Sequence, residues 1–230
     1  MSGPRLAGGP ARRDALAALA DGRVIAVPGA GGYQLAARLD HAGLLARPLG
    51  SVVADSAVHV MVGTRGQALG LASEWTNEAR LLTDRMWPGP LIIVVPAGHD
   101  GPAPAGSAAV VSLTMPASRA LRALCREGGP LAAAGLRHAD GRPLPDPADV
   151  TAWCSGDEIA LVLHGGTCAG PEPTVVDCTV SPPVVRHVGA RPESYVDAAL
   201  MMGRRRRRWR ATRDDAPTGD GDRRPPRFRA

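Results

Sequence analysis

Lysine is absent from this chain of 230 residues, so all 27 of its basic residues are arginine. No binding or catalytic step in this protein therefore uses a lysine amine, which is a common point charge for phosphates and a common amine nucleophile. Aromatic side chains are scarce as well, at 3% of the residues. Alanine, glycine, proline and arginine are abundant instead, which indicates a strong compositional bias.

Long hydrophobic runs are also missing. No apolar stretch reaches the roughly eighteen residues that a membrane-spanning helix needs, and the first residues contain no apolar segment ahead of a cleavage site. The four cysteines, Cys125, Cys154, Cys168 and Cys178, form no CxxC pair and no metal-site pattern with histidine. These absences predict a cytoplasmic protein with reduced cysteines that contacts no membrane.

Positive charge is confined to the last part of the chain. Residues 203–230 contain 11 Arg and 4 Asp, a net charge of +7, whereas the first 202 residues have a net charge of −2. This Arg-rich tail has too few aliphatic residues to form a core, and we expect it to be disordered. Its segment "RRRRRWR" would neutralise phosphates and stack an indole on a base, and a solubilising role is the alternative. The candidate nucleic-acid contacts are Arg204, Arg205, Arg206, Arg207, Arg208, Trp209 and Arg210.

Residues 11–200 alternate short apolar runs with amphipathic segments, separated by glycine or proline. Short apolar runs predict strands, and apolar positions at helical spacing, such as Ala79, Leu82 and Met86, predict helices. The alternation predicts a single α/β domain in which helices flank a twisted open sheet. Segment 130–136 is ambiguous between strand and helix. The predicted helices cover 11–20, 33–40, 74–87 and 118–129, and the predicted strands cover 23–27, 58–63, 91–97, 109–116, 159–166, 174–179 and 185–189.

The segment "VIAVPGAGGYQL" places three glycines between a predicted strand and a predicted helix. Glycine allows the backbone to approach a phosphate closely, and a helix N-terminus favours the negative charge. The segment lacks the GK[ST] of a P-loop, so a simple tight turn is the alternative. We expect Gly29–Gly32 at the mouth of a concave cleft with Tyr33 at its edge, where the ring either stacks on a ligand or joins the core.

Four motifs, in order and at sensible spacing, give this sequence its resemblance to a known family. They are "PGAGGYQL", "WPGPLIIVV", "PLAAAGLRHADG" and "PTVVDCTVSPPVVRHVG". Over residues 12–191 they resemble the P-T-D-T-x-Y-G-L, W-P-G-P-L-T, P-L-x-x-x-S-A-N-x-S-G and S-T-V-V-D motifs of the YrdC-like family, the threonylcarbamoyl-AMP synthases. The resemblance implies the YrdC-like twisted open sheet with flanking helices.

That family condenses threonine, bicarbonate and ATP into threonylcarbamoyl-AMP and pyrophosphate, on the route to threonylcarbamoyladenosine in tRNA. The resemblance therefore implies a nucleotidyltransferase that uses ATP and Mg²⁺, takes threonine as substrate and has tRNA as partner. The alternative is a catalytically inactive YrdC-like protein that binds a nucleotide or double-stranded RNA. A scaffold protein that acts through its tail is a third class.

The polar residues of the four motifs differ from the family pattern. Gly29, Ala30 and Gly31 stand where the family has threonine, aspartate and threonine. In the next motif, K-x-R, Leu45 replaces the lysine and Arg47 matches the arginine. The remaining departures are Thr114 for an arginine, Gly135 and Arg137 near the expected serine and asparagine, and Pro173 for a serine.

Each lost donor to the phosphates costs about a hundredfold or more in rate, so we expect synthesis to be absent or very slow. Arg137 and His138 form either a new anion site or part of a solvated loop. Thr174 and Asp177 either contact a ligand or close a strand, and Arg186 is either a substrate clamp or a surface ion-pair partner. The sequence identifies no catalytic residue. The candidate substrate- or nucleotide-binding residues are Gly29, Gly31, Gly32, Tyr33, Arg47, Arg137, His138, Thr174, Asp177 and Arg186.

Overall fold

The computed structural model describes residues 5–6, 9–46, 52–54, 58–98, 110–153 and 159–202. The helices are α1 (Gly9–Ala20), α2 (Arg65–Leu71), α3 (Asn77–Met86), α4 (Arg119–Gly128) and α5 (Pro147–Trp153), with a 3₁₀ helix at Leu39–Ala46 and a further helix over 193–202. The strands are β1 (Arg5–Leu6), β2 (Val24–Pro28), β3 (Tyr33–Arg38), β4 (Val52–Ala54), β5 (His59–Met61), β6 (Leu91–Pro96), β7 (Val110–Thr114), β8 (Leu131–His138), β9 (Ile159–His164), β10 (Thr174–Asp177) and β11 (Val184–His187).

The strands form one mixed sheet in the order β1-β9-β2-β3-β8-β5-β7-β6-β10-β11, and β4 pairs with β8 beside this path. Pairing is antiparallel between β2, β3 and β8, and parallel between β6 and β10. Because strands that are distant in the chain become neighbours, the sheet joins the two halves of the sequence. The predicted α/β class, with a twisted sheet and flanking helices in a single domain, is confirmed.

Helices cover both faces of the sheet. Successive side chains of a strand point to opposite faces. On one face, α1 and α4 pack on β2, β5 and β8 through buried residues such as Ala15 and Leu124, against Met61. On the other face, α2 and α3 pack on β5, β6 and β7 through residues such as Leu82 and Met86. Each fully buried leucine or methionine side chain contributes roughly 1.5–3 kcal/mol of hydrophobic stabilisation.

Hydroxyl side chains mark the beginnings of the helices. Thr76 caps α3 by accepting a hydrogen bond from the Ala79 N–H, and Ser118 caps α4 by accepting one from the Leu121 N–H. Such caps satisfy backbone donors that have no partner within the helix. Gly129 follows α4 with φ at +87°, a conformation that residues with a Cβ rarely adopt.

The prediction of a helix from Tyr33 is wrong, because Tyr33–Arg38 is strand β3. The segment is rich in residues that suit a helix, yet β3 pairs with β2 on one side and β8 on the other. Tertiary pairing of this kind overrides local propensity. The ambiguous segment 130–136 is also strand, since Leu131–His138 is β8. The glycines of the "VIAVPGAGGYQL" segment therefore connect two strands of a hairpin.

The domain limits of 11–200 stay a prediction, and the Arg-rich tail of residues 203–230 lies outside the described residues. Among the helices of the described ranges, none combines the length and the apolar character needed to cross a membrane.

Candidate functional site

A cleft of about 320 Å³ opens on the part of the sheet that α1 and α4 leave uncovered. Register explains which side chains reach it: Gln34 pairs with Gly135, and Val175 pairs with both Ile92 and His187. Directly paired residues share a face of the sheet, so these positions face the same space. The lining residues are Gly31, Gly32, Tyr33, Gln34, His59, Ile92, Gly135, Leu136, Arg137, Pro143, Glu172, Pro173, Val175 and His187.

Gly29–Gly32 form the turn of the β2–β3 hairpin at one end of the cleft. The Gly29 N–H donates to the Gly32 carbonyl at 2.9 Å, and Gly32 has φ at +144°. A Cβ added at Gly31 would lie 2.5 Å from Cγ and 2.9 Å from Cα of Glu172. No helix follows this turn, so it offers no helix N-terminus to a phosphate. Glycine is required here because the turn packs directly against Glu172.

Tyr33 contributes its backbone to the cleft, while its side chain lies in the core. The residue has 0% exposure and packs among the buried residues of β2, β3 and β8. Its hydroxyl donates to the Gly166 carbonyl at 3.2 Å and accepts from the Gly165 N–H at 3.0 Å. Burial raises the pKa of the Tyr33 phenol, and the hydrogen bond from Gly165 partly opposes this rise. The hydroxyl of Tyr33 therefore holds the loop after β9 to the sheet.

Glu172 lies between the two basic side chains that line the cleft from β8 and β11. Its Oε1 accepts a short hydrogen bond from Nη2 of Arg137, and its Oε2 lies 3.6 Å from Nε2 of His187. Arg137 also donates from Nη1 to the Gly141 carbonyl at 3.1 Å. The Arg137 and Glu172 side chains are 24% and 34% exposed. The most strongly charged part of the cleft is therefore a carboxylate held between a guanidinium and an imidazole.

The same cleft contains a neutral acceptor. Oε1 of Gln34 is buried and accepts no hydrogen bond within the described ranges of the chain. His59, from β5, also lines the cleft and is only 8% exposed. Because buried polar atoms are normally paired, the Gln34 oxygen is suited to accept a hydrogen bond from a ligand or a water molecule.

Thr174 begins β10, is fully buried and acts on the backbone of the following loop. Its Oγ1 donates to the Arg191 carbonyl at 2.7 Å and accepts from the N–H groups of Gly189 and Arg191 at 3.1 and 2.9 Å. These three hydrogen bonds use the one donor and the two acceptor positions of the hydroxyl. Thr174 therefore holds the segment after β11 to the sheet.

Asp177 and Arg186 form an ion pair. Asp177 lies on β10, two residues after Val175, and Arg186 lies on β11. Arg186 donates from Nε and Nη2 to Oδ2 of Asp177 at 3.1 and 2.8 Å. Thr179 donates to Oδ1 from its N–H and its hydroxyl. Burial alone would raise the pKa of Asp177, but the bonds from Thr179 and Arg186 outweigh it and lower that pKa below its usual value. This ion pair links β10 to β11 beside the cleft.

His138 is the last residue of β8 and pairs in register with Val52, so the loop begins only after it. In that loop, Asp140 accepts hydrogen bonds from the backbone and guanidinium of Arg142, and these bonds lower the pKa of Asp140. Of the sequence-predicted residues, the cleft brings together Gly31, Gly32, Tyr33 and Arg137. The candidates Arg47 and 204–210 lie outside the described residues.

Sequence reasoning missed Glu172 and His187. Glu172 is the sole charged residue between Gly165 and Val176, and an isolated carboxylate directly before a buried strand was an available signal. His187 gives no such signal, because its place in the cleft depends on the pairing of β11 with β10.

The described residues offer few reactive groups besides these. Burial raises the pKa values of Cys125 and Cys178 to about 12 each, so both remain thiols at neutral pH. Cys125, Cys168 and Cys178 are free. Within the described ranges, no group of three or more histidine, cysteine and carboxylate side chains is arranged to hold a metal ion.

The fold and the motifs around the cleft define a family. The Sua5/YciO/YrdC family model, described as telomere recombination, matches residues 17–188, and the chain belongs to this family. This confirms the resemblance inferred from the four motifs.

Two curated relatives are named threonylcarbamoyl-AMP synthase. The protein of Pyrococcus abyssi is 32% identical over 150 residues, and that of Bacillus subtilis is 30% identical over 149 residues. Each match covers 64% of this chain, but only 44% and 43% of the respective relative. The chain therefore spans less than half the length of these relatives.

Solved structures share the fold. A double mutant of P. abyssi Sua5 superposes with a TM-score of 0.72 at 26% identity, covering 81% of this chain and 56% of that one. P. abyssi Sua5 complexed with L-threonine gives a TM-score of 0.69 at 26% identity, with coverages of 82% and 56%. Escherichia coli YciO gives 0.66 at 20% identity, with coverages of 78% and 89%.

Proposed function

We propose that this protein is a divergent threonylcarbamoyl-AMP synthase, which condenses threonine, bicarbonate and ATP for the modification of tRNA. One observation carries the proposal: segments of all four motifs meet at one cleft. The β2–β3 hairpin contains "PGAGGYQL", β6 places Ile92 of "WPGPLIIVV" in the cleft, β8 contains "LAAAGLRH", and Pro173 of "PTVVD" lies directly before β10. The names of the two curated relatives support the same reaction.

The cleft residues suit parts of this chemistry. Arg137 has the planar donor set that binds carboxylate oxygens, and Gln34 offers an acceptor for an ammonium or hydroxyl group. Positioning of threonine and ATP at this cleft would supply most of the catalysis, since adenylyl transfer depends on orientation and charge neutralisation. Mg²⁺ would be held chiefly by the triphosphate itself, as is usual for this ion.

We expect the reaction to be slow. Purified full-length protein, supplied with all three substrates and Mg²⁺, should release pyrophosphate at a rate about a hundredfold or more below that of the B. subtilis synthase measured beside it, because donors to the phosphates are missing. Omission of threonine or bicarbonate should abolish the release. Arg137→Ala should lower the rate further, and Arg142→Ala, an exposed arginine of the neighbouring loop, serves as the matched control.

A second candidate function is that of a catalytically silent relative that binds a nucleotide or RNA. The engagement of Arg137 by Glu172 favours it, because an ion-paired guanidinium is less available to a phosphate. Nucleotide binding by calorimetry, without pyrophosphate release, would favour this candidate over the synthase. Pyrophosphate release at the rate of the B. subtilis enzyme would contradict the expected slow reaction. A protein that shows no nucleotide binding and no pyrophosphate release would refute both functions of the cleft as a small-molecule site.

A further inference from the structure

Glu172 occupies the place in the cleft where an external anion would meet two basic groups. Its two carboxylate oxygens are directed to different partners, Arg137 on β8 and His187 on β11. A carboxylate and a phosphate present similar oxygens to a guanidinium, so one can stand in for the other. The carboxylate is provided by the chain itself.

The position of Glu172 is built into the fold. Its carbonyl accepts a hydrogen bond from the Ala190 N–H at 2.7 Å, and the next residue but one, Thr174, begins β10. From the opposite side, the turn of the β2–β3 hairpin packs on it so closely that Gly31 has no space for a Cβ. A glycine turn often surrounds a phosphate in other proteins, whereas here Gly31 of the turn packs against the stem of an acidic side chain.

We propose that Glu172 is an internal anion that occupies the Arg137–His187 subsite and determines the specificity of the cleft by excluding polyphosphate from this end. A pyrophosphate or triphosphate that approaches Arg137 meets the Glu172 carboxylate at the same point, and like charges at contact distance repel strongly. Groups without negative charge, such as an ammonium or hydroxyl, are accepted beside Glu172. The inference rests on the proposed function in one respect only, namely that ligands bind in this cleft.

Calorimetric titration of the full chain with inorganic pyrophosphate tests this specificity role. Glu172→Gln keeps the shape of the side chain and removes its charge, so it should bind pyrophosphate about tenfold or more tightly than the wild type. Glu193→Gln, at an exposed position of the 193–202 helix, is the matched control and should leave the affinity unchanged. Because the Arg-rich tail is present in every variant, its own binding of pyrophosphate cancels in the comparison.

The gain in pyrophosphate affinity of Glu172→Gln must depend on Arg137. In the double variant Glu172→Gln/Arg137→Gln the affinity should return to that of the wild type or below it. Glu172→Ala gives a second neutral variant in case Glu172→Gln fails to fold, and it should show a gain in the same direction. Equal or weaker binding by the folded neutral variants, or a gain that persists without Arg137, would overturn the proposal.

The two proposals are tested separately. Pyrophosphate release from threonine, bicarbonate and ATP by the wild type decides the proposed function, whereas the binding difference between wild type and Glu172→Gln decides the role of Glu172. An inactive wild type with a tenfold gain in Glu172→Gln supports the internal anion alone. An active wild type without that gain supports the synthase alone.

Discussion

At the scale of single residues, the Asp177 carboxylate couples protonation to folding. Arg186 and Thr179 stabilise its ionised form in the native state, so its pKa lies below the value of 3.8 expected in an unfolded chain. A carboxyl group whose folded pKa is lowered stabilises the protein above its unfolded pKa, and that stability is lost as the pH falls through the folded pKa. Asp177 therefore contributes at neutral pH and ceases to contribute in strong acid.

Asp177→Asn should lower the free energy of unfolding by about 1–3 kcal/mol at pH 7, because Arg186 and Thr179 lose a charged acceptor that is largely buried. The difference from the wild type should shrink as the pH falls below about 4. Urea unfolding at pH 7 and at several acidic pH values measures both effects. Asp197→Asn, at an exposed position of the 193–202 helix, should change stability by less than about 0.5 kcal/mol. A constant difference at every pH would contradict the role of ionisation.

At the scale of elements, the β2–β3 hairpin depends on the absence of a side chain at Gly31. A Cβ there would meet backbone atoms of Glu172 at 2.9 and 3.0 Å, and these atoms are held by β10 and the loop before it. The hairpin and this loop therefore form one packing unit, although they are far apart in the sequence.

Gly31→Ala should destabilise the protein by about 1–3 kcal/mol, the usual cost of an overpacked contact. Gly70→Ala is the matched control, because Gly70 lies in α2 with no atom within 4 Å of an added Cβ. It should stabilise the protein by about 0.5–1 kcal/mol, since alanine favours a helix over glycine. Thermal and urea unfolding of both variants measure these changes. Equal stability of Gly31→Ala and the wild type would show that the turn has room to move.

The elements also show how far the sequence alone can predict the fold. Local patterns predicted α3 with Ala79, Leu82 and Met86 buried, and all three are buried. They failed for Tyr33–Arg38, where most residues suit a helix and the partners on β2 and β8 decide for a strand. Local periodicity contains no information about a partner strand that lies a hundred residues away.

The site follows the same rule. Arg137 was a candidate from its position near a family motif, and it lines the cleft. Glu172 meets Arg137, and His187 meets Glu172, only through the pairing of β10 with β11 and the packing of the loop before β10 on the hairpin turn. Such meetings depend on register, which no single segment of the sequence determines.

At the scale of the whole molecule, charge separates a nearly neutral domain from a cationic tail. Residues 203–230 have a net charge of +7, and the preceding 202 residues have a net charge of −2. If a tRNA or another RNA is a partner, the tail is the part of the chain with the electrostatic character to attract it.

Full-length protein should bind RNA with an affinity that falls steeply with salt, because each phosphate that is neutralised releases a condensed counterion. Removal of 203–230 should abolish this binding and leave the melting temperature nearly unchanged. Trp209→Ala should weaken binding by about 1–3 kcal/mol through the loss of stacking on a base. Fluorescence titration of the full-length, truncated and Trp209→Ala proteins with RNA at two salt concentrations measures these effects. Equal, salt-insensitive binding by the full-length and truncated proteins would assign the RNA site to the folded domain, and no binding by either would leave the tail a solubilising or protein-docking segment.

The order in which the cleft is assembled has a consequence for protein synthesis. One wall is the hairpin turn near Gly32, and the other contains His187 on the edge strand β11. At typical translation speeds the ribosome makes these two walls about 10–30 s apart. During that interval the wall that contains His187 has not yet been made, so the cleft is incomplete. A ligand of the cleft can therefore assist only the last stage of folding, and the earlier stages depend on the chain alone or on chaperones.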